Sequence, residues 1–326
     1  MKNIFKSYEF FLFALLVIIS LMIGFINPAF FSWGTLFDVI RIQTVMMVMA
    51  LGLLPVFIFG GIDVSFVAIG ALATYPLHVY LLEHDYTGGA WLYFAVAMLI
   101  GLAVGLVEGF LVNNFKLQIF DMSLGMNMLI YGAILFFVGS FDNYTMTPAL
   151  LGWNSKFLVT VKTAGGIESG LHVAIFIVIA VALALQLILK HTTVGRAIYA
   201  YGNDRSVAIR TGFNIKLVTV IVFALLGIIA GLGGITFSAI SVGFYPNLMQ
   251  KRTMEIIAAV ILGGASIKGG RGSVVGTILG ALLVGLINQA LVYLGIDTQW
   301  FDFIIGAVFV LYATFQAFSL KVQSKQ

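Results

Sequence analysis

The sequence predicts an all-α fold: a polytopic membrane protein with about ten transmembrane segments and both termini in the cytoplasm. Three observations carry that expectation. First, 61% of the 326 residues are hydrophobic and only 9% are charged, whereas soluble domains carry roughly a quarter charged residues. Seventeen basic and 13 acidic side chains cannot coat a water-soluble fold of this length. Second, the few charges divide the chain into runs of membrane-spanning length. Third, the basic residues fall unevenly on the two sides that those runs define.

The charge-free runs cover 10–37, 42–62, 64–82, 86–107, 122–141, 173–189, 217–250, 256–267, 272–296 and 303–320. A spanning helix needs about 20 apolar residues, and most runs meet that length. The 256–267 run is short and spans only if neighbours such as Met254 and Glu255 join it. Lys2 and Lys6 place the N-terminus inside, because basic residues are retained on the cytoplasmic side. Alternation from there puts twelve Lys/Arg inside and five outside, so the net charge of +4 reflects topology and not nucleic-acid binding. The first run lacks a small-x-small cleavage site and is expected to be retained as a helix.

The chain reads as a single transmembrane domain over 1–326 with two substantial loops. Residues 142–170, mixed aromatic and polar, are expected outside. Residues 190–216, with Lys190, Arg196, Arg205, Arg210 and Lys216, are expected inside. Gly101, Gly105 and Gly109 recur every fourth residue, as do Gly276 and Gly280, and Gly227, Gly231 and Gly234 are spaced more loosely. Such stripes let helix backbones approach closely. They predict a tight bundle.

The stretch LLPVFIFGGIDVSFVAIGAL at 53–72 places Asp63 after a glycine pair in otherwise apolar sequence. A carboxylate at bilayer centre costs on the order of 2.5–3.5 kcal/mol on insertion scales. Two readings remain open. The turn lies at a cytoplasmic edge, with Asp63 accepting a backbone N–H at a helix start, or the helix breaks within the membrane at Gly60–Gly61, as helices at transporter sites do.

Several chemistries lack a motif. GGASIKGG at 263–270 has the wrong glycine spacing for a phosphate-binding loop, so no ATP hydrolysis is expected from the chain itself. His78, His84, His172 and His191 do not have zinc-site spacing and read as surface or interfacial residues. Neither a nucleophile elbow nor a dinucleotide fingerprint occurs. The absence of Cys leaves no disulfide or thiolate site. No catalytic residue, metal or cofactor is assigned to the chain.

GGIDVS at 60–65, TTVGRAIYAYGNDRSVAIRTGFN at 192–214 and EIIAAVILGGASIKGGRGSVVGTILGALLVGLI at 255–287 occur in that order. Together they resemble the permease subunits of bacterial ABC importers of the ribose, xylose and galactose type. That superfamily includes autoinducer-2 permeases and, more distantly, branched-chain amino-acid permeases. The resemblance implies a multi-pass subunit of the bacterial inner membrane. It would pair with a second permease, identical or related, two cytoplasmic ATP-binding domains that use ATP and Mg²⁺, and an extracytoplasmic solute-binding protein. The small-molecule substrate implied is a monosaccharide or a similar hydroxyl-rich solute.

By the same resemblance, Gly195, Arg196, Asn203, Ala208 and Gly212 match the family's cytoplasmic ATPase-coupling stretch. Charge adds Arg205 and Arg210, with Arg196, as contacts for an ATPase surface. Asp63, Asn127, Tyr131 and Gln289 are candidate polar contacts along the substrate path. The chain departs from the family pattern at Phe66–Val67, at MQKRTME (249–255) and at QIFDMSLGMNMLIYG (118–132). These departures leave the solute open, with a nucleoside, autoinducer-2 or branched-chain amino acid as alternatives, and they suit one half of a heterodimer. A competing class, the ATP-independent secondary transporter, would make membrane acids ion-coupling groups, and the sequence offers no convincing buried acid–base series.

Overall fold

A computed structural model describes residues 8–162, 168–297, 299–308, 310 and 314. Lys2, Lys6, the C-terminus and most of the 303–320 run lie outside the described residues. The helices are α1 (Tyr8–Ile26), α2 (Trp33–Phe59), α3 (Phe66–Glu83), α4 (Trp91–Phe115), α5 (Ile119–Phe137), α6 (Pro148–Asn154), α7 (Ile175–His191), α8 (Thr193–Asn203), α9 (Arg205–Arg210), α10 (Ile215–Ser241), α11 (Thr253–Leu262) and α12 (Val274–Tyr293). A helical stretch follows over 300–308. Two strands, β1 (Phe157–Lys162) and β2 (Glu168–His172), pair antiparallel between α6 and α7. This hairpin lies in a chain expected to be wholly helical; its first strand carries the β-branched run Val159–Thr160–Val161, which favours extended backbone.

Seven described helices are long and apolar enough to cross a membrane, or eight when α7 and α8, bent by 74°, count as one broken span. The expected ten therefore do not appear as ten uniform spans. α11 explains part of the difference. Its 10 residues, at about 1.5 Å each, reach about 15 Å, half of an about 30 Å hydrocarbon core. The charge-bounded ends also shift. α2 includes Asp38 and Arg41, α4 runs through Glu108, and α5 contains Asp121.

Asp38 and Arg41 have polar partners, Glu108 is buried and Asp121 is exposed. Ser169 Oγ donates to Asp38 Oδ1 at 2.8 Å, and Arg41 Nη2 donates to Asn154 Oδ1 at 2.8 Å with its guanidinium over the Phe157 ring. The hairpin and α6 thereby fasten onto the first turns of α2.

α2 is the central element, and every residue from Gln43 to Phe59 is buried. α10 packs along α4 through the predicted stripe. Gly101 faces the backbone of Gly227, Gly105 that of Phe223 and Gly227, and Gly231 that of Ala97, each so close that a Cβ would overlap the opposing main chain. α12 meets α11 through Gly276 and Gly280 against Gly263 and Ala259 in the same way.

The bundle has two ends. At one, Tyr8 Oη donates to Leu262 O at 2.7 Å, Asn113 Nδ2 to Lys216 O at 2.6 Å and Tyr199 Oη to Gly272 O at 2.8 Å. At the other, Asn27 Nδ2 donates to Tyr293 O at 3.1 Å, Tyr75 Oη to Phe141 O at 2.8 Å, and Asn143 bridges Phe244. Residues 142–162 and 168–170 lie at the end opposite 190–216, and α7 joins the two. His78, expected near the surface, is instead buried: it stacks on Phe244 at 3.7 Å, and its Nε2 lies 2.9 Å from Thr145 O.

Candidate functional site

α2 stops at Gly60, whose φ of 97° is left-handed and suited to glycine. Residues 61–65 are non-helical, and α3 begins at Phe66. Backbone groups freed inside a membrane bundle need protein partners, and these are present. Gly270 N–H donates to Ile58 O at 2.8 Å, Val64 N–H to Ser123 Oγ at 3.1 Å, and Asn127 Nδ2 to Val64 O at 2.8 Å. Asp63 Oδ1 accepts Ser65 N–H at 2.7 Å and Ser65 Oγ–H at 2.6 Å.

The backbone N–H at the start of α3 is thus accepted by Asp63, as the helix-start reading expected. Asp63 organises the start of α3, and it does so in a fully buried break between two helices. Glu108 of α4 is also fully buried and lies within electrostatic reach of Asp63. Asp63 Oδ2 and both Glu108 carboxylate oxygens have no hydrogen-bond partner among the described residues. Tyr131, one turn beyond Asn127 on α5, is buried with its hydroxyl equally unpartnered.

A platform sits directly on this break. Thr192 caps α8 by accepting Gly195 N–H at 3.1 Å, where a Cβ on Gly195 would overlap the Ile188 and Leu189 carbonyls. Tyr199 Oη donates to Gly272 O, and Asn203 Nδ2 donates to Gly270 O at 3.3 Å and to Tyr199 O at 2.9 Å. Tyr201 stacks on Phe59, the last residue of α2, at 4.1 Å and 8°. Gly202 lies against Ile58 O and Gly270 N with no room for a Cβ. α8 thus contacts both the end of α2 and the 266–272 loop.

α9 follows with Asp204 as its N-cap, accepting from Ser206 N, Ser206 Oγ and Val207 N at 2.8, 2.6 and 3.1 Å. These bonds, led by the Ser206 hydroxyl, hold the Asp204 carboxyl below its ordinary pKa. Ala208 is buried, and Arg196, Arg205 and Arg210 are exposed. Arg205 lies 5.7 Å over the Tyr201 ring. Gly212 has φ 82° with open space around it. Val207 and Ile209 are also exposed, so the outward face mixes guanidinium and aliphatic groups. Sequence reading missed that apolar component. A cavity of about 580 Å³ opens beside the platform, bordered by Gly60, Gly61, Lys116, Tyr201, Arg205 and Ile209.

Gln289 does not join Asp63, Asn127 and Tyr131. It lines a separate cavity of about 250 Å³ with Gln43, Arg252, Glu255 and Asn288. Sequence reading missed Gln43 and Asn288, although each is an amide in an otherwise apolar run. It also treated Glu108 as a boundary, when its position between Gly105 and Gly109 marked it as part of a packed helix face.

Comparison with known proteins agrees with this architecture. The family model described as the branched-chain amino acid transport system / permease component matches residues 35–313. The chain belongs to this family of membrane permeases. Over 305 residues it is 33% identical to the ribose import permease protein RbsC of Escherichia coli strain K12, covering 93% of this chain and 91% of that protein. It is 30% identical to RbsC of Haemophilus influenzae, covering 92% and 90%. Identity to the autoinducer 2 import system permease protein LsrC of Yersinia enterocolitica is 29%, covering 90% and 79%. No solved structure matches.

Proposed function

We propose that the chain is the transmembrane subunit of an ATP-driven importer for a monosaccharide or similar hydroxyl-rich solute in the bacterial inner membrane. It works with a second permease, two ATP-binding domains and an extracytoplasmic solute-binding protein. The observation that carries this reading is the seat of α8: one short helix bonded at once to the broken end of α2 and to the loop between α11 and α12. Movement imposed on α8–α9 by a nucleotide-driven partner would reach both elements through the Tyr199 and Asn203 hydrogen bonds and the Tyr201–Phe59 stack.

The α8–α9 face is the cytoplasmic docking surface, with Arg196, Arg205 and Arg210 as charged contacts around Val207 and Ile209. Relatives whose names specify ribose import support the monosaccharide assignment. Within this reading, Asn127 and Asp63 hold the helix break in place and carry no solute directly.

Reconstitution with the ATPase and solute-binding protein tests the proposal. ATP-dependent uptake of a pentose or hexose is expected, and uptake that persists without the ATPase overturns it. Reversing the charge of Arg205 and Arg210 together is expected to weaken ATPase co-purification while membrane insertion continues.

One observation favours a second reading. The buried Asp63–Glu108 pair, with three unpartnered oxygens, is the kind of membrane acid that ion-coupled transporters use. That alternative predicts uptake driven by a proton or sodium gradient with no ATPase present.

A further inference from the structure

We propose that the cavity between α2, α11 and α12 is a solute station for a neutral, monosaccharide-sized polyol, with Gln43 as the side chain that orients it. The inference rests on the transport reading and specifies a site within it. The first argument is placement. Gln43 lies ten residues into the 27-residue α2, about 15 Å from its start. It is 7% exposed, and its Oε1 has no hydrogen-bond partner among the described residues.

The packing around Gln43 makes room for that amide. A Cβ built on Gly285 of α12 would overlap the Gln43 carboxamide. Glycine at 285 therefore supplies the volume in which the amide lies. A buried acceptor without a partner costs roughly 1–3 kcal/mol. A ligand hydroxyl donating to it removes that penalty.

Chemistry selects the ligand class. Gln43, Asn288 and Gln289 each carry both donors and an acceptor, the pattern that matches hydroxyl groups, which also donate and accept. Phe301 adds an aromatic wall. Arg252 and Glu255 contribute opposite charges to the lining, which therefore carries no net charge to select an ion. An amino acid with an aliphatic side chain would engage Arg252 and Glu255 but leave amides facing hydrocarbon, the type of mismatch that polar sites reject strongly. The volume of about 250 Å³ falls just below the roughly 300–1,000 Å³ of pockets for drug-sized ligands. It suits one sugar ring better than a nucleoside.

The absence of cysteine makes a direct test available. Gln289→Cys in the full chain, in membrane vesicles, introduces a single thiol whose reaction with a water-soluble methanethiosulfonate can be timed. D-ribose, D-xylose and D-galactose are the probes, leucine is the competitor, and Ser155→Cys, exposed at the hairpin end, is the control. One-site occupancy slows labelling by 1 + [L]/Kd, about tenfold at about ten times Kd. The expected result is that at least one sugar protects Gln289→Cys and not Ser155→Cys, while leucine protects neither. Adding Gly285→Ala or Gln43→Met, the second nearly isosteric, is expected to abolish protection while leaving the unprotected labelling rate intact.

An unreactive Gln289→Cys, no protection by any sugar, equal protection by leucine, or protection that survives Gln43→Met overturns the proposal. The assay requires no ATPase. Protection without ATP-driven uptake would therefore sink the importer reading and leave the station standing.

Discussion

Two helix pairs in this protein use the same small-residue chemistry for different ends. α4 and α10, 25 and 27 residues long, meet through Gly101, Gly105, Gly227 and Gly231 along a continuous seam. α11 and α12 meet through Gly263, Gly276 and Gly280 with Ala259, but α11 has only 10 residues. The first seam joins two full-length helices with backbone in contact, and it forms a spine. The second ends at a polar cavity on one side and at the α8 platform on the other. Glycine spacing reports close packing in both pairs; they differ in that one helix of the second pair is cut short at 10 residues.

The largest expected effect breaks the spine. Gly227→Leu forces a side chain into the Gly101 carbonyl, and overpacking typically costs about 1–3 kcal/mol. Loss of monodisperse protein on size exclusion and a lower thermal midpoint are expected. Gly280→Leu at the second seam should lose less folded protein and more transport. Equal folding losses would make the seams equivalent and remove the distinction.

Next in size, Gly202→Val places branched carbons against Ile58 O. ATP-driven uptake should fall to background at normal membrane abundance, measured in reconstituted vesicles. Glu108→Gln sharpens the contrast differently, because Glu108 lies within the spine. Neutralising an unpartnered buried carboxylate should hold or raise the thermal midpoint, with ATP-driven uptake little changed. Collapse of uptake would transfer the mechanism to ion coupling.

The smallest effect concerns Asp204. Its depressed carboxyl pKa makes the cap's contribution fully present above the ordinary carboxylate range, to be lost as pH falls through the folded-state value. Coupling of ATP hydrolysis to uptake should thus be flat between about pH 6 and 8. Asp204→Ala should reduce it modestly, and Asp204→Asn, which keeps an acceptor, should reduce it less.

Much of this arrangement was legible in the sequence because it depends on local chemistry. The GGIDVS break follows from glycine's access to left-handed backbone at Gly60, and the α4–α10 seam follows from four-residue spacing. The less legible parts depend on long-range packing. Glu108 reads as a boundary charge until the fold places α3 and Asp63 against it. The orientation of Gln43 needs Gly285, which is 242 residues away in the chain and in an apolar run of its own. α11 looks like a marginal span because periodicity cannot indicate that the chain before it is irregular over 242–247 and a 3-10 turn over Leu248–Arg252. The hairpin was hidden by the expectation that 142–170 was only a loop.

The brevity of α11 has a mechanical consequence. A three-turn helix is too short to curve or kink appreciably, so it behaves as a rigid strut. Its foot, at Gly263, lies one loop from the residues that grip α8, and its head carries Glu255 at the mouth of the polar chamber. Under the proposed transport cycle, an ångström of travel imposed at the foot would arrive undiminished at the head, and gating of that chamber would need no larger motion.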